Sequence, residues 1–395
     1  MTLIVYAISI TGILANTLIT PVLPEIKDHF NLGSGEAGLM VSLASVPGIV
    51  VAPLLGLVSD RIGRRATVIP CLIVFGTGGL LGMVAPSYTL LLAARLLQGF
   101  GAAGLINLAI VILGDRHEGA TRARAIGRNA AAITLGLAVL PALGGLLGDI
   151  GGWRASFAPY VLAFGVAAMA ARILPRDVPE KNAPPLRETL KEAVPYIRDR
   201  RVAVMAPVGF VLFILVFGLV LTALPLFLDE QFGIGATARG SILGAPAAAS
   251  VIVALTIGRL SGRFDTWSLV MTGLAFFVVS FLILSGATAL VVVVVAALIY
   301  GLGEGLTIVP LQTYSTTIAP AAYRGVVVGV WVASVRAGQS VGPWLAGRML
   351  ESNDFSKVFL GGAVLAGTLF LAVLVATRLL LKTICYTFQL LIIFI

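Results

Sequence analysis

Apolar residues in this chain come in runs of about twenty, broken by short polar punctuation, and that spacing predicts membrane-crossing helices. A hydrocarbon layer of roughly 30 Å needs about 20 apolar residues at a rise of about 1.5 Å each. Runs of that length recur at roughly 3–24, 37–58, 66–86, 88–113, 125–148, 155–174, 203–228, 236–258, 267–285, 289–313, 325–348 and 358–381, about twelve spans in all. Alternating the spans across the bilayer with both termini inside puts about 20 Lys and Arg on cytoplasmic segments, about 5 outside and 2 within spans. The expected topology is therefore a multi-pass protein of a bacterial-style inner membrane with both ends of its main bundle cytoplasmic. The first run lacks a basic leader and a small-residue cleavage site, so it is read as a retained span.

One long polar stretch, Pro175 to Arg201, holds Pro179, Pro184, Pro185 and mixed charges. It divides the chain into a six-span bundle at 1–174, a cytoplasmic linker at 175–202 and a second six-span bundle at 203–382. Leu186 to Arg200 reads either as an amphipathic helix on the inner surface or as a solvated connector. The apolar tail at 383–395 is too short to span and is expected to lie in the interface or to be non-native, with no function.

Sliding the chain on itself by roughly 200 residues aligns Leu23-Pro24 with Leu224-Pro225, and Gly56-x-x-x-Asp60-Arg61 with Gly258-x-x-x-Gly262-Arg263. Gln98-Gly99-x-Gly101 meets Tyr300-Gly301-x-Gly303, and Pro141 and Gly145 meet Pro343 and Gly347. Ordered matches of Pro and Gly at nearly one offset predict a duplicated bundle. The copies are unequal, because Gly262 stands for Asp60 and Asp265 for Gly63.

Composition agrees. Hydrophobic residues make up 58% of the chain and charged ones 11%, and the mean hydropathy is +1.03. The net charge of +9 falls between apolar runs and not along one basic face, which argues for topology and against a nucleic-acid partner. Cys71 and Cys385 match no metal-ligand spacing, and no disulfide is expected. His29 and His117 lie outside the predicted hydrocarbon, and no His/Asp/Glu cluster, nucleophile elbow or phosphate loop occurs. Neither a metal, an organic cofactor nor an enzyme is expected.

The loop between the second and third runs reads G-L-V-S-D-R-I-G-R-R, residues Gly56 to Arg65. Its Gly56, Asp60, Arg61, Gly63, Arg64 and Arg65 meet every fixed position of G-x-x-x-D-R-x-G-R-R, and here the chain resembles the major facilitator superfamily. The resemblance implies an all-α integral membrane fold of twelve helices in two pseudo-symmetric six-helix bundles that rock against each other. Asp60 is expected to dock at the start of the eleventh span, near Arg324 to Val328, when the cavity opens outward.

An arginine several residues inside a span needs a partner or a wet cavity, which singles out Arg95 in the fourth span. The run Arg95-Leu-Leu-Gln98-Gly99 resembles the R-x-x-Q-G pattern whose arginine is associated with proton coupling in drug antiporters. The fifth span carries Gly136-x-x-x-x-Pro141-x-x-Gly144-Gly145, resembling the antiporter ending G-P-x-x-G-G but with Leu140 where a glycine is expected; the eleventh span restores it as Gly342-Pro343, followed by Gly347. Proline and glycine also serve a plain helix kink.

Of the 18 acidic residues, only Glu304 falls well inside a span, with Arg336 at a similar depth in the next. Two readings stand: a static ion pair fixing two helices, or a proton site at Glu304 tuned by Arg336 or Arg95. The superfamily's cavity-lining spans one, four, seven and ten imply a substrate site of Asn16, Gln98, Asn107, Phe213, Phe217, Tyr300 and Glu304. Asn16 stands where many exporters place an acid, which throws weight onto Glu304. The resemblance implies a monomeric exporter driven by a proton gradient, and two intramembrane arginines against one glutamate point to neutral or weakly charged amphiphiles as its substrates. Sugar or metabolite transport in either direction is the alternative, and an integral-membrane enzyme or receptor a remote one.

Overall fold

The computed structural model describes residues 1–175, 186–320, 323–352 and 354–393, and within them the chain is helix and connecting turns. Eleven helices among the described residues are long and apolar enough to cross a membrane. The remaining one, Arg324–Leu350, has 27 residues but carries Arg324, Arg336 and Arg348, which lower its hydropathy. It packs between Ser34–Leu43, Val46–Ile62 and Arg200–Ile214 like its neighbours. In chain order the spans are Thr2–His29, Ser34–Gly56, Arg64–Met83, Tyr88–Arg116, Arg124–Gly151, Trp153–Ile173, Arg200–Phe232, Ala236–Ser261, Thr266–Ser285 and Leu290–Ser315, then Arg324–Leu350 and Phe355–Arg378, spans 1 to 12 below.

The duplicated prolines act locally as their chemistry requires, since proline has no N–H to continue a helical ladder. Span 1 narrows to a 3₁₀ turn at Thr20–Val22 just before Leu23-Pro24. Span 7 widens into a π turn at Leu215–Ala223 just before Leu224-Pro225. The unequal loops also resolve: Gly63 turns the chain between spans 2 and 3 at φ 95°, a region open to glycine. In the second half the carboxylate of Asp265 instead caps span 9, accepting hydrogen bonds from the Trp267 and Ser268 amides at 3.0 and 3.2 Å.

The linker forms a helix over Leu186–Ile197; residues 176–185 lie outside the described ones. Tyr323, at the start of span 11, donates a hydrogen bond to Glu192 at 2.8 Å and stacks on Tyr196 at 5.2 Å. Asp199 caps span 7 through the Arg201 amide, and hydrogen bonds from the Arg201 guanidinium hold its carboxyl below the usual carboxylate range despite burial. The end of the molecule that carries this linker is called the linker face, and the opposite end the far face. No break marks the boundary drawn at 382, because the last helix runs on through Phe355–Ile393. Cys71 is buried and free; the side chain of Cys385 lies outside the described ones.

The two bundles touch along two seams, span 5 against span 8 and span 2 against span 11. Both seams are built from glycine pressed on a facing carbonyl. A β-carbon at Gly145 would collide with the Ala236 carbonyl, at Gly240 with that of Pro141, and at Gly244 with that of Ala138. In the other seam Gly38 meets the Pro343 carbonyl and Gly347 that of Ser34. Inside each bundle Gly144 sits on Leu18 of span 1 and Gly342 on Ile214 of span 7, so the motif prolines and glycines fix the shut end of the cavity. Toward the linker face the contacts stop, and a β-carbon at Gly56, Gly127, Gly258 or Gly325 would meet nothing within 4 Å. The halves are therefore shut at the far face and apart at the linker face.

Gly240→Val should wedge the far seam by about 1–3 kcal/mol, the usual scale of overpacking. Spin labels at Asp28 and Gln231, exposed far-face positions in the two halves, should move apart. An unchanged distance distribution in a folded variant would show that this contact does not close the far face.

Candidate functional site

Where the halves part, a cavity of about 260 Å³ opens between spans 2, 4, 10 and 11. Its walls are Ala52, Pro53, Leu55 and Gly56 of span 2, Gly104, Asn107, Leu108, Ile110 and Val111 of span 4, Gln312 and Ser315 of span 10 with Thr316 after it, and Gly325, Val328, Gly329, Trp331 and Val332 of span 11. None of these side chains is charged, so polarity comes only from amides, hydroxyls and the indole of Trp331. That ring is anchored by packing on Gly209, where a β-carbon would collide with it.

One helical turn beyond Val332, past the last wall residue of span 11, stands Arg336. Its aliphatic stem lies over Gly48 of span 2, with Cδ 2.9 Å and Nε 3.1 Å from where a β-carbon would be. Its Nη1 donates to the Gln339 side-chain oxygen at 3.1 Å. Glu304 lies two turns beyond Gln312 on span 10, partly buried. Among the described residues no ion pair joins Glu304 to Arg336 or to any other base. The static pair, one of the two readings, is thus not formed in this state, in which the Arg336 side chain lies across the seam on Gly48 of span 2.

Arg95 is only 1% exposed and is satisfied by oxygens of its own bundle. It donates to the Ala15 carbonyl at 2.6 Å, to the side chains of Asn16 and Gln98, and weakly to the Met40 carbonyl at 3.5 Å. Tyr160 donates to the carbonyls of Leu14 and Ala15 at 3.0 and 3.2 Å. Carbonyls near the break in span 1 thus find two donors. Spans 1, 2 and 4 are tied at one point.

The residues implied as substrate-lining consequently divide. Asn107 lines the cavity, whereas Asn16 and Gln98 are engaged by Arg95. Phe213 and Phe217 lie 6.1 Å apart on span 7, with Phe213 packed beside Gly338. Tyr300 turns into its own bundle, stacked on Phe277 at 4.7 Å, and its hydroxyl is buried without a hydrogen-bond partner. The structure thus brings Asn107 to a cavity whose other polar walls, Gln312, Ser315, Thr316 and Trp331, carry no sequence motif.

At the linker face Asp60 forms an ion pair with Arg64, and Arg64 also bonds Asp115 at 3.0 Å. Arg65 donates to the Leu174 carbonyl at 3.2 Å, tying the loop of Gly56, Asp60, Arg61, Gly63, Arg64 and Arg65 to spans 4 and 6. The Asp60 side chain is 44% exposed.

The far face holds an ionic cluster that the motifs did not indicate. Arg239, with a side chain only 1% exposed, pairs with Glu25 of the first half and with Asp229 of its own half at 2.5 Å. Lys27 pairs with Glu230 at 3.0 Å. Asp149 accepts hydrogen bonds from the Ala236 and Thr237 amides at 3.0 and 2.9 Å, a carboxylate placed on the positive end of span 8. Counted by sequence among the outside charges, Arg239 was legible only through its position four residues into a span. Its acid partners lie some 214 and 10 residues away.

The family model described as Major Facilitator Superfamily matches residues 5–343 and 208–383. A bacillibactin exporter of Bacillus subtilis (strain 168) is 25% identical over 359 residues, covering 87% of this chain and 88% of the relative. The class D tetracycline resistance protein of Salmonella ordonez is 27% identical over 379 residues, covering 92% and 93%. The solved structure of a bacterial homolog of the human lysosomal transporter Spinster, in an inward-facing and occupied conformation, superposes with a TM-score of 0.77 at 20% identity, over 96% of this chain and 97% of that one.

Arg239→Gln leaves Glu25 and Asp229 facing each other without their shared cation. Breaking such a pair costs about 3–5 kcal/mol when fully buried and less with acids as exposed as these. A thiol introduced as Ser42→Cys, buried in the span 2 and span 11 seam, should then react with maleimide about tenfold faster or more, by population-shift arithmetic. Equal rates with and without Arg239 would mean that the cluster does not hold the far face shut.

Proposed function

The chain belongs to the Major Facilitator Superfamily, and from that premise we propose that this transporter exports small, drug-like amphiphiles from the cytoplasm by proton antiport. The observation that carries the reading is the uncharged, largely apolar cavity on the linker-face side of the closed seams. The linker face is taken as cytoplasmic because Lys and Arg concentrate there, and the membrane is taken to be a bacterial-style inner membrane. Relatives named for efflux and drug resistance support the same direction. A sugar would require a wall dense in hydrogen-bonding groups, whereas Asn107, Gln312, Ser315, Thr316 and the Trp331 indole are the polar groups among seventeen lining residues.

Glu304 is assigned the coupling proton, because it is a carboxyl group deep in the second bundle with no base in ion-pair contact. Substrate enters from the cytoplasm and the proton leaves. The far seams then part while the linker face closes. Substrate departs outward and Glu304 takes up a proton, which returns the protein to the present state. One charge moved through the membrane potential is worth about 2.3 kcal/mol per 100 mV, enough for an uphill gradient of a few tens-fold. Arg95 acts by holding spans 1, 2 and 4 as one body. The transporter works as a monomer, since one chain supplies both halves of the pathway.

In the outward-open state Asp60 is expected to leave Arg64 for the start of span 11, near Arg324 to Val328, where a helix N-terminus attracts negative charge by about 0.3–1 kcal/mol. Asp60→Asn should accordingly lower the outward-open population by about fivefold or less, read as label distances across the linker face. No shift would remove Asp60 from the switch.

Glu304→Gln should bind and exchange substrate but not accumulate it against a gradient in proteoliposomes with an imposed pH difference, and substrate-induced proton release should vanish with thermal stability nearly unchanged. Uphill transport by that variant would place the coupling proton elsewhere. Simple unfolding would make Glu304 a structural residue.

A further inference from the structure

Arg95 and Arg239 are buried in the spans and Arg336 is half-buried, and their surroundings differ in kind. Arg95 is surrounded by carbonyl and amide oxygens of its own bundle. Arg239 has two carboxylates. Arg336, at the membrane's middle, has one neutral hydrogen-bond acceptor, Gln339, for a guanidinium with five N–H donors. A cation inside a span is expensive unless it is paired or faces a watery path, and among the described residues no acid lies within ion-pair distance of this one.

Its place explains the omission. Arg336 crosses from one bundle to Gly48 of the other, one turn past Val332 and Ala52, which are the last wall residues of the cavity on spans 11 and 2. Arg336 is not itself a wall residue; it stands one turn past the last of them with no acid in ion-pair contact, while the walls are uncharged and include Pro53 and Trp331. From this we infer that the cavity takes an amphipathic organic anion, a compact apolar body bearing one carboxylate or sulfonate, whose anionic oxygens pair with Arg336. The planar fork of the guanidinium matches two such oxygens. Because Gly48 belongs to the opposite half, the bound anion would also touch the seam that changes in transport. This names the charge of the weakly charged substrate proposed above and rests on that reading only for the traffic of the ligand; binding needs neither Glu304 nor a proton gradient.

The test is equilibrium binding of a matched pair of fluorescent probes to the full chain in phosphatidylcholine nanodiscs: 8-anilinonaphthalene-1-sulfonate, an anion, and N-phenyl-1-naphthylamine, its neutral counterpart with the same aromatic body. The wild-type protein should prefer the sulfonate by about tenfold or more, the scale of one charge-assisted pair. Arg336→Gln should abolish that preference while leaving the neutral amine's affinity within about twofold, since the apolar walls are untouched. Gly48→Ala keeps every charge but displaces the guanidinium from its seat, and should weaken only the sulfonate. Equal affinities in the wild type overturn the inference, as does a preference that survives Arg336→Gln or, where that variant does not fold, one undiminished by Gly48→Ala. Loss of sulfonate binding when phosphatidylglycerol is added to the nanodisc would assign Arg336 to a lipid headgroup and equally overturn it.

Discussion

Glycine against carbonyl oxygen, at Gly240 on Pro141 and at Gly38 on Pro343, is the contact from which the rest of the architecture follows. In a bilayer two helices gain little from burying apolar surface, because lipid tails are as apolar as leucine. Close backbone approach supplies the attraction instead, through dispersion and weak C–H···O contacts. Two such seams bring the bundles together at the far face, and their absence near Gly56 and Gly325 leaves the cavity open. A contact of backbone on backbone has no soft side chain to yield gradually. It is made or parted, which is the property a two-state transporter needs.

Charge is handled by the same logic of location. At the far face, where water reaches Glu25 and Asp229, ions pair across the halves around Arg239. Inside the first bundle a guanidinium is used as a clamp, and the break near Thr20–Val22 in span 1 lies close to the carbonyls that receive it. At Arg336, one turn past the cavity's walls, neither solution is present. The two halves thus use arginine inside a span for unlike ends: Arg95 as internal mortar, Arg336 as a group turned to the other half.

Much of this was readable from the chain. The span count comes from periodicity and spacing, since a bilayer constrains length and hydropathy so tightly. The major facilitator fold followed from the loop Gly56 to Arg65. Span 11 was found by its neighbours' rhythm although Arg324, Arg336 and Arg348 dilute it. The site was less legible. Gln98 and Tyr300 sit on cavity-lining spans, yet both turn into their own bundles, because rotation about a helix axis depends on packing partners that periodicity in an apolar helix does not reveal.

Sequence alone determined that this protein crosses a membrane as two related bundles, and which residues are costly enough inside it to need a reason. Tertiary structure decided where those residues point. Counting puts Glu304 and Arg336 at a similar depth, but the Arg336 side chain lies on Gly48 and not on the carboxylate, and Arg239 joins an acid 214 positions away. Depth along a helix follows from counting residues; direction around it depends on which bundle, and which state of the seam, stands opposite.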